Sequence, residues 1–212
     1  MKETTRMILK ELIEKYPQLS NIESDISKAF ELLYDTYKNG NKILLCGNGG
    51  SSSDSEHIVG ELLKSFKKCR AIRQDVYEKL KEFGVDGAYL CEKLEGALPA
   101  ISLNSQTGIM TAFANDKAWD AAFAQQLYAL GENGDCLIVL STSGNSKNCV
   151  FATLGAKAKG ISSVALTGMG GGKLKEYSDC TIAVPETETY KVQELHLPVY
   201  HCLCAMLEEE FF

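Results

Sequence analysis

Three histidines occur in the chain, His57, His196 and His201, and the neighbours of two of them are residues that hold metals or move protons. His57 and Glu61 are four apart, so on a helix they share a face and can together ligate one divalent cation. The same spacing also serves an ordinary surface ion pair. Near the C-terminus, Gln193 and His201 lie about 80° apart around a helix, on a face shared with Leu197, Tyr200 and Cys204. His196 falls about 140° from His201, so one helix does not aim both at one centre. Pro198 makes these angles approximate, because a proline inside a helix removes a hydrogen bond and kinks the axis at about 3 kcal/mol. Taken without context, His201 reads as a core histidine with a satisfied hydrogen bond.

Two loops carry a different chemistry. Ser141-Thr142-Ser143-Gly144-Asn145-Ser146 offers four hydroxyls and backbone N–H groups ahead of a helix, a composition suited to a phosphate monoester held by neutral donors. A plain N-cap and turn would use one such hydroxyl. The loop Gly47-Asn48-Gly49-Gly50-Ser51-Ser52-Ser53-Asp54 departs from a dinucleotide fingerprint, since Ser52 stands where the third glycine belongs. The cluster Gly168 to Lys173 also fails as a P-loop: Thr167 occupies the first glycine position and Leu174 the hydroxyl position.

These residues need a scaffold, and the apolar pattern supplies one. Short apolar runs at 42–46, 99–103, 135–140, 163–166 and 181–185 alternate with helical stretches, which predicts about five parallel strands joined by covering helices in a three-layer α/β/α sandwich. Loops at the carboxyl ends of such strands form the ligand crevice. Residues 1–39 read as helical throughout, with Ile22, Ile26, Ala29, Phe30, Leu33 and Tyr37 on one apolar face and Gly40 as a stop. A charged insertion at 67–97 predicts two short helices around Gly84 and Gly87, so that 1–212 form a single domain with a helical N-terminal segment and one insertion.

The 212 residues, 45% hydrophobic and 24% charged, exclude disorder and fibrous architectures. Twenty-two Lys and Arg against 28 Asp and Glu, with no basic run, exclude an electrostatic track for nucleic acid. The eight cysteines form no C-x-x-C pair and read as buried thiols of a reducing compartment. The first sixteen residues lack the apolar stretch of a secretory signal, and no window approaches the roughly 18 to 20 apolar residues of a membrane span. A soluble cytoplasmic protein is the expectation.

Taken in order over residues 40–209, the loop 47–54, His57 with Glu61, Ala114-Asn115-Asp116, the loop 141–146, Leu166-Thr167-Gly168 with Gly171-Gly172-Lys173, and Val192-Gln193-Glu194 with His201 resemble the sugar isomerase (SIS) domain family. The His/Glu and Gln/His positions point to its heptose phosphate branch. The resemblance implies a flavodoxin-like fold and an aldose–ketose isomerisation of sedoheptulose 7-phosphate to D-glycero-D-manno-heptose 7-phosphate through a cis-enediol, feeding cell-surface polysaccharide. It implies a homotetramer with active sites between subunits. Ser51, Ser141, Thr142, Ser143 and Ser146 would surround the phosphate, with Asn48, Asn115, Asp116 and Gln193 as further substrate contacts. One zinc per subunit would be held by His57, Glu61, Gln193 and His201, with Glu61 as base and His201 as acid. Family members often carry an Asp where this chain has Tyr190, and the insertion is longer than theirs. A non-catalytic phosphosugar-binding scaffold of the replication-initiator-binding type, and an isomerase of another phosphosugar, are the alternatives.

Overall fold

The alternation of apolar runs and amphipathic stretches resolves into five strands and ten helices. The computed structural model describes residues 1–212. In chain order they are α1 (Glu3–Lys15), α2 (Glu23–Lys38), β1 (Ile43–Gly47), α3 (Gly50–Leu63), α4 (Gln74–Lys81), α5 (Gly84–Lys93), β2 (Ala100–Ser102), α6 (Thr107–Asp116), α7 (Ala122–Leu130), β3 (Cys136–Leu140), α8 (Lys147–Ala158), β4 (Ser162–Thr167), α9 (Leu174–Tyr177), β5 (Cys180–Ala183) and α10 (Thr189–Phe211). Every strand pairing is parallel, in the order β2-β1-β3-β4-β5, which is the α/β/α architecture the pattern predicts.

The two faces of the sheet follow the strand period of two. Ile43, Leu45, Ile138, Leu140, Val164, Leu166 and Ile182 point into a core shared with α1, α2, α3 and α10. Leu44, Cys46, Leu137, Val139 and Ala165 point the other way, against Phe123 and Leu127 of α7 and Cys149, Ala152 and Ala156 of α8. The central strands β1 and β3 are buried along their whole length, as strands covered on both faces must be. Six cysteines are buried free thiols, whereas Cys69 is exposed and Cys91 half-buried. No helix is long and apolar enough to cross a membrane.

Two details sharpen the sequence expectation. The segment 1–39 is helical throughout but in three pieces: Pro17 starts a 3-10 helix, Pro17–Ile22, between α1 and α2, because proline offers no N–H to continue α1. In the insertion, Gly84 opens α5 with φ +64, but Gly87 lies inside that helix. A Cβ on Gly87 would fall 1.8 Å from the Leu80 carbonyl oxygen, so this glycine lets α4 and α5 touch. The hairpin they form buries little else, leaving Phe83, Val85 and Tyr89 exposed at 71%, 87% and 59%.

Candidate active site

The first loop turns where β1 ends. A Cβ on Gly47 would meet the Ser51 carbonyl at 2.5 Å, and Gly49 has φ +56, so these two glycines let the chain reverse directly into α3. Asn104, just past β2, clamps the turn: its Oδ1 accepts from the Gly47 N–H at 3.1 Å and its Nδ2 donates to the Gly47 carbonyl at 2.7 Å. Ser51 is buried in the first turn of α3. Asn48 reaches across to α8, where it and Asn148 exchange amide hydrogen bonds of 2.9 and 2.8 Å. Both polar atoms of Asn48 are thus engaged in joining the two loops.

The second loop follows β3, whose Leu140 is in register with Gly47, so the loops stand side by side. The Ser141 hydroxyl donates to Ser146 Oγ at 3.1 Å, and Ser146 makes no side-chain cap on α8. The glycine cluster that fails as a P-loop braces this loop instead. Gly168 N–H donates to the Thr142 carbonyl at 2.9 Å, Leu174 N–H to the Gly144 carbonyl at 3.0 Å, and Lys173 N–H to Asn145 Oδ1 at 3.1 Å. Backbone meets backbone so closely that a Cβ on Gly144 would lie 2.0 Å from the Gly171 carbonyl oxygen.

Helices α3 and α10 pack side by side and run parallel, since Gly50 lies against Gln193 and His57 against Tyr200 and His201. This pairing brings three of the candidate residues together. His57 Nε2 is 3.2 Å from Glu61 Oε1 and 3.4 Å from His201 Nε2. The other Glu61 oxygen pairs with Lys64 Nζ at 3.2 Å. Burial and then the neighbouring His57 push His201 below the ordinary imidazole range, against the pull of Glu61. Behind His57, its Nδ1 is 3.0 Å from the Tyr200 hydroxyl, which in turn donates to Asp54 Oδ1 at 3.2 Å. Burial raises the Asp54 carboxyl, partly offset by the Tyr200 hydrogen bond and by His57.

Two imidazoles and a carboxylate are the donor types zinc takes, with separations of 3.2 and 3.4 Å from His57 Nε2, but as they stand the three are not arranged as a group that could hold a metal ion. Gln193, the fourth candidate, is not with them: eight residues of α10 place it about 12 Å up the helix axis from His201. Its amide lies over Gly50, where a Cβ would meet Nε2 at 2.6 Å. Gln193 therefore belongs to the upper part of the site, beside the glycine loop. Asn115 and Asp116 sit exposed at the end of α6, and the Asn115 amide donates to Asp116 at 2.8 Å.

The lower end of α3 is pinned by a buried knot that local sequence reasoning does not reveal. Glu208 of α10 accepts from the N–H groups of Phe66, Lys67 and Lys68 and from Arg70 Nε at 2.7 Å. Arg70 donates in turn to the carbonyls of Leu62 and Glu61 at 2.8 and 2.9 Å. Asn104, Asn148, Tyr200, Arg70 and Glu208 all support the site without any motif of their own. Only Asp54, three residues before His57 on the same helix, carries a local signal.

The SIS domain model matches residues 8–97 and 81–168. The chain is 36% identical over 212 residues to a phosphoheptose isomerase of Akkermansia muciniphila, covering 100% of this chain and 99% of the relative. With a phosphoheptose isomerase of Aneurinibacillus thermoaerophilus it shares 40% over 191 residues, 90% of this chain and 82% of that one. The solved structure of a phosphoheptose isomerase from Francisella tularensis superposes with a TM-score of 0.76 at 28% identity, covering 99% and 100% of the two chains. Similarity along essentially the whole length, in sequence and in fold, is decisive: the chain belongs to the SIS domain family, in the group that contains the phosphoheptose isomerases.

Proposed function

We propose that the chain is an aldose–ketose isomerase that converts sedoheptulose 7-phosphate to D-glycero-D-manno-heptose 7-phosphate, supplying a heptose for cell-surface polysaccharide. The observation that carries this reading is the meeting of His57, Glu61 and His201 within 3.2–3.4 Å contacts in a chain whose relatives are phosphoheptose isomerases.

The hydroxyls of Ser51, Ser141, Thr142, Ser143 and Ser146 and the N–H groups of their loops hold the phosphate with neutral donors. Asn115, Asp116 and Gln193 orient the sugar hydroxyls, while Asn48, paired with Asn148, holds the first loop in place beside them. Glu61 takes the proton from the carbon beside the carbonyl and returns it to the adjacent carbon of a cis-enediol, while His201 moves the oxygen-bound proton. Burial, and then the neighbouring His57, lower the proton affinity of His201 against the pull of Glu61, which favours the neutral ring. His57, Glu61 and His201 are the residues that would hold zinc, which when bound would supply Lewis-acid polarisation of the carbonyl, whereas Gln193, beside Gly50, is not placed with them.

In this reading copies of the chain complete one another's sites in a homotetramer. The exposed apolar residues Phe83, Val85, Trp119 and Tyr128 provide surface for such contacts. Free thiols fit a reducing cytoplasm.

The test is NMR observation of sedoheptulose 7-phosphate with metal-stripped protein, with and without zinc, beside a panel of other phosphosugars. Zinc-dependent appearance of the aldose is the expected result. No conversion by an intact, zinc-loaded oligomer refutes the assignment, and turnover of a different phosphosugar reassigns the substrate.

A further inference from the structure

We infer that Asn48 and Asn148 are positioning residues whose reciprocal amide pair fixes the distance between the two loops, so that Ser51 on one side and the hydroxyls of residues 141–146 on the other close on a single phosphate. This rests on the reading of those loops as the phosphate site.

The sheet sets the spacing of the loops only as far as its strands run. β1 and β3 pair as far as Gly47 and Leu140, which holds neighbouring strands about 4.8 Å apart. Beyond that point no backbone hydrogen bond joins residues 48–54 to residues 141–149. Every side-chain hydrogen bond between the two segments passes through Asn48: its Nδ2 donates to Asn148 Oδ1 at 2.9 Å and faces Cys149 Sγ at 3.6 Å, and its Oδ1 accepts from Asn148 Nδ2 at 2.8 Å. The tip of the first loop is otherwise unpacked, since a Cβ on Gly49 would meet nothing within 4 Å.

The orientation of the pair is fixed by a group that cannot turn round. The backbone N–H of Cys149 can only donate, and it meets Asn148 Oδ1 at 3.0 Å. Asn148 must therefore present its oxygen to Cys149 N–H and to Asn48 Nδ2, which uses both lone pairs, and its NH2 to Asn48 Oδ1. A turned Asn148 amide would set NH2 against the backbone N–H. A turned Asn48 amide would set oxygen against oxygen and NH2 against NH2. The bridge thus has one arrangement and one length. It is also wired to the hydroxyls on each side: the Asn48 carbonyl accepts from the Ser51 N–H at 3.1 Å, while Asn148 lies two residues after Ser146, whose Oγ accepts from Ser141 at 3.1 Å. Asn48 therefore acts on the phosphate through the loops.

The experiment is a double-mutant cycle on the full chain, read by steady-state kinetics with sedoheptulose 7-phosphate and by calorimetric titration of inorganic phosphate. Asn48→Ala and Asn148→Ala should each raise KM and the phosphate Kd by about 10-fold, with kcat reduced less. The double variant should be no weaker than the weaker single, because the same bridge is lost in every case. Effects that multiply in the double variant overturn the inference, since the two residues then act separately. Variants that lose thermal stability while KM and the phosphate Kd stay at wild-type values also overturn it, since the pair then only supports the fold. If Asn148→Ala does not fold, Asn148→Ser, too short to reach Asn48, takes its place in the cycle. Phosphate binding that shows this coupling in a chain that does not turn over sedoheptulose 7-phosphate leaves the bridge standing and removes the assigned reaction. A wild type that binds neither inorganic phosphate nor the phosphosugar overturns both.

Discussion

Glu208→Gln tests whether the knot beneath the site sets both stability and the place of the base. Glu208 and Arg70 are a buried pair, with side chains 1% and 0% exposed and Nε 2.7 Å from Oε1. Burial pushes the Glu208 carboxyl up, but the N–H groups of Phe66 and Lys67 and the Arg70 guanidinium outweigh it and hold it below the usual carboxylate range. The amide of glutamine has nearly the same shape, yet it removes the charge and turns an NH2 toward groups that are all donors. Arg70 is then left buried and uncompensated, a loss worth about 3–5 kcal/mol. Against a total stability of roughly 5–15 kcal/mol, and with a urea slope near 3 kcal/mol/M, the unfolding midpoint should fall by about 1 M or more. Because Arg70 also holds the carbonyls of Glu61 and Leu62, turnover in the still-folded protein should fall as well. The measurement is urea unfolding at one fixed protein concentration, paired with kcat, and Glu14→Gln at the exposed Lys10–Glu14 pair serves as the near-neutral control. A midpoint shift no larger than that of the control would refute the reasoning.

His196 is fully buried, neither ring nitrogen has a hydrogen-bond partner within normal geometry, and burial pushes its pKa down to about 4. The unfolded chain therefore binds a proton that the folded chain refuses between about pH 6.5 and 4, so this contribution is present above pH 6.5 and lost on acidification, roughly 2–3 kcal/mol by pH 4.5; His196→Leu should flatten the acid limb of stability by that order in denaturant titrations, and an unchanged limb argues against it. Ser143→Ala and Ser146→Ala should chiefly raise KM, whereas Glu61→Gln should lower kcat by about 10²- to 10⁴-fold; unchanged turnover in Glu61→Gln would show that the base lies elsewhere. Gly144→Ala puts a side chain at φ +65 and 2.0 Å from the Gly171 carbonyl, so it should both destabilise the fold by more than about 1 kcal/mol and raise KM by displacing the hydroxyl loop, with thermal unfolding and steady-state kinetics as the two readouts.

The fold was legible because its determinants are local. Ile43–Gly47 and Cys136–Leu140 are apolar runs short enough to be strands and too apolar to be anything exposed, and each breaks directly into a loop of glycines or hydroxyls. The pairing of His57 with Glu61 was legible for the same reason, since one helical turn makes them neighbours whatever the rest of the chain does. The break at Pro17 and the close contact of Gly87 with Leu80 lay beyond that reading: the first needed the missing N–H to be weighed beside the apolar period, the second a contact with a neighbouring helix. The 80° angle between Gln193 and His201 describes only their rotation about α10, and the rise of about 12 Å is what separates them.

Residue types and spacing by themselves determined the parallel α/β scaffold, the hydroxyl loop and the candidate residues for acid–base chemistry and metal binding, because secondary structure and helical neighbours depend on separations of a few residues. Only the tertiary structure decided which of those residues meet. The packing of α3 along α10 joins His57 to His201 and Tyr200 across more than 140 positions, the Arg70–Glu208 knot spans 138, and Asn48 finds Asn148 100 positions away. Contacts at that range are set by how buried faces fit together and how buried polar groups find partners, and no local pattern encodes them.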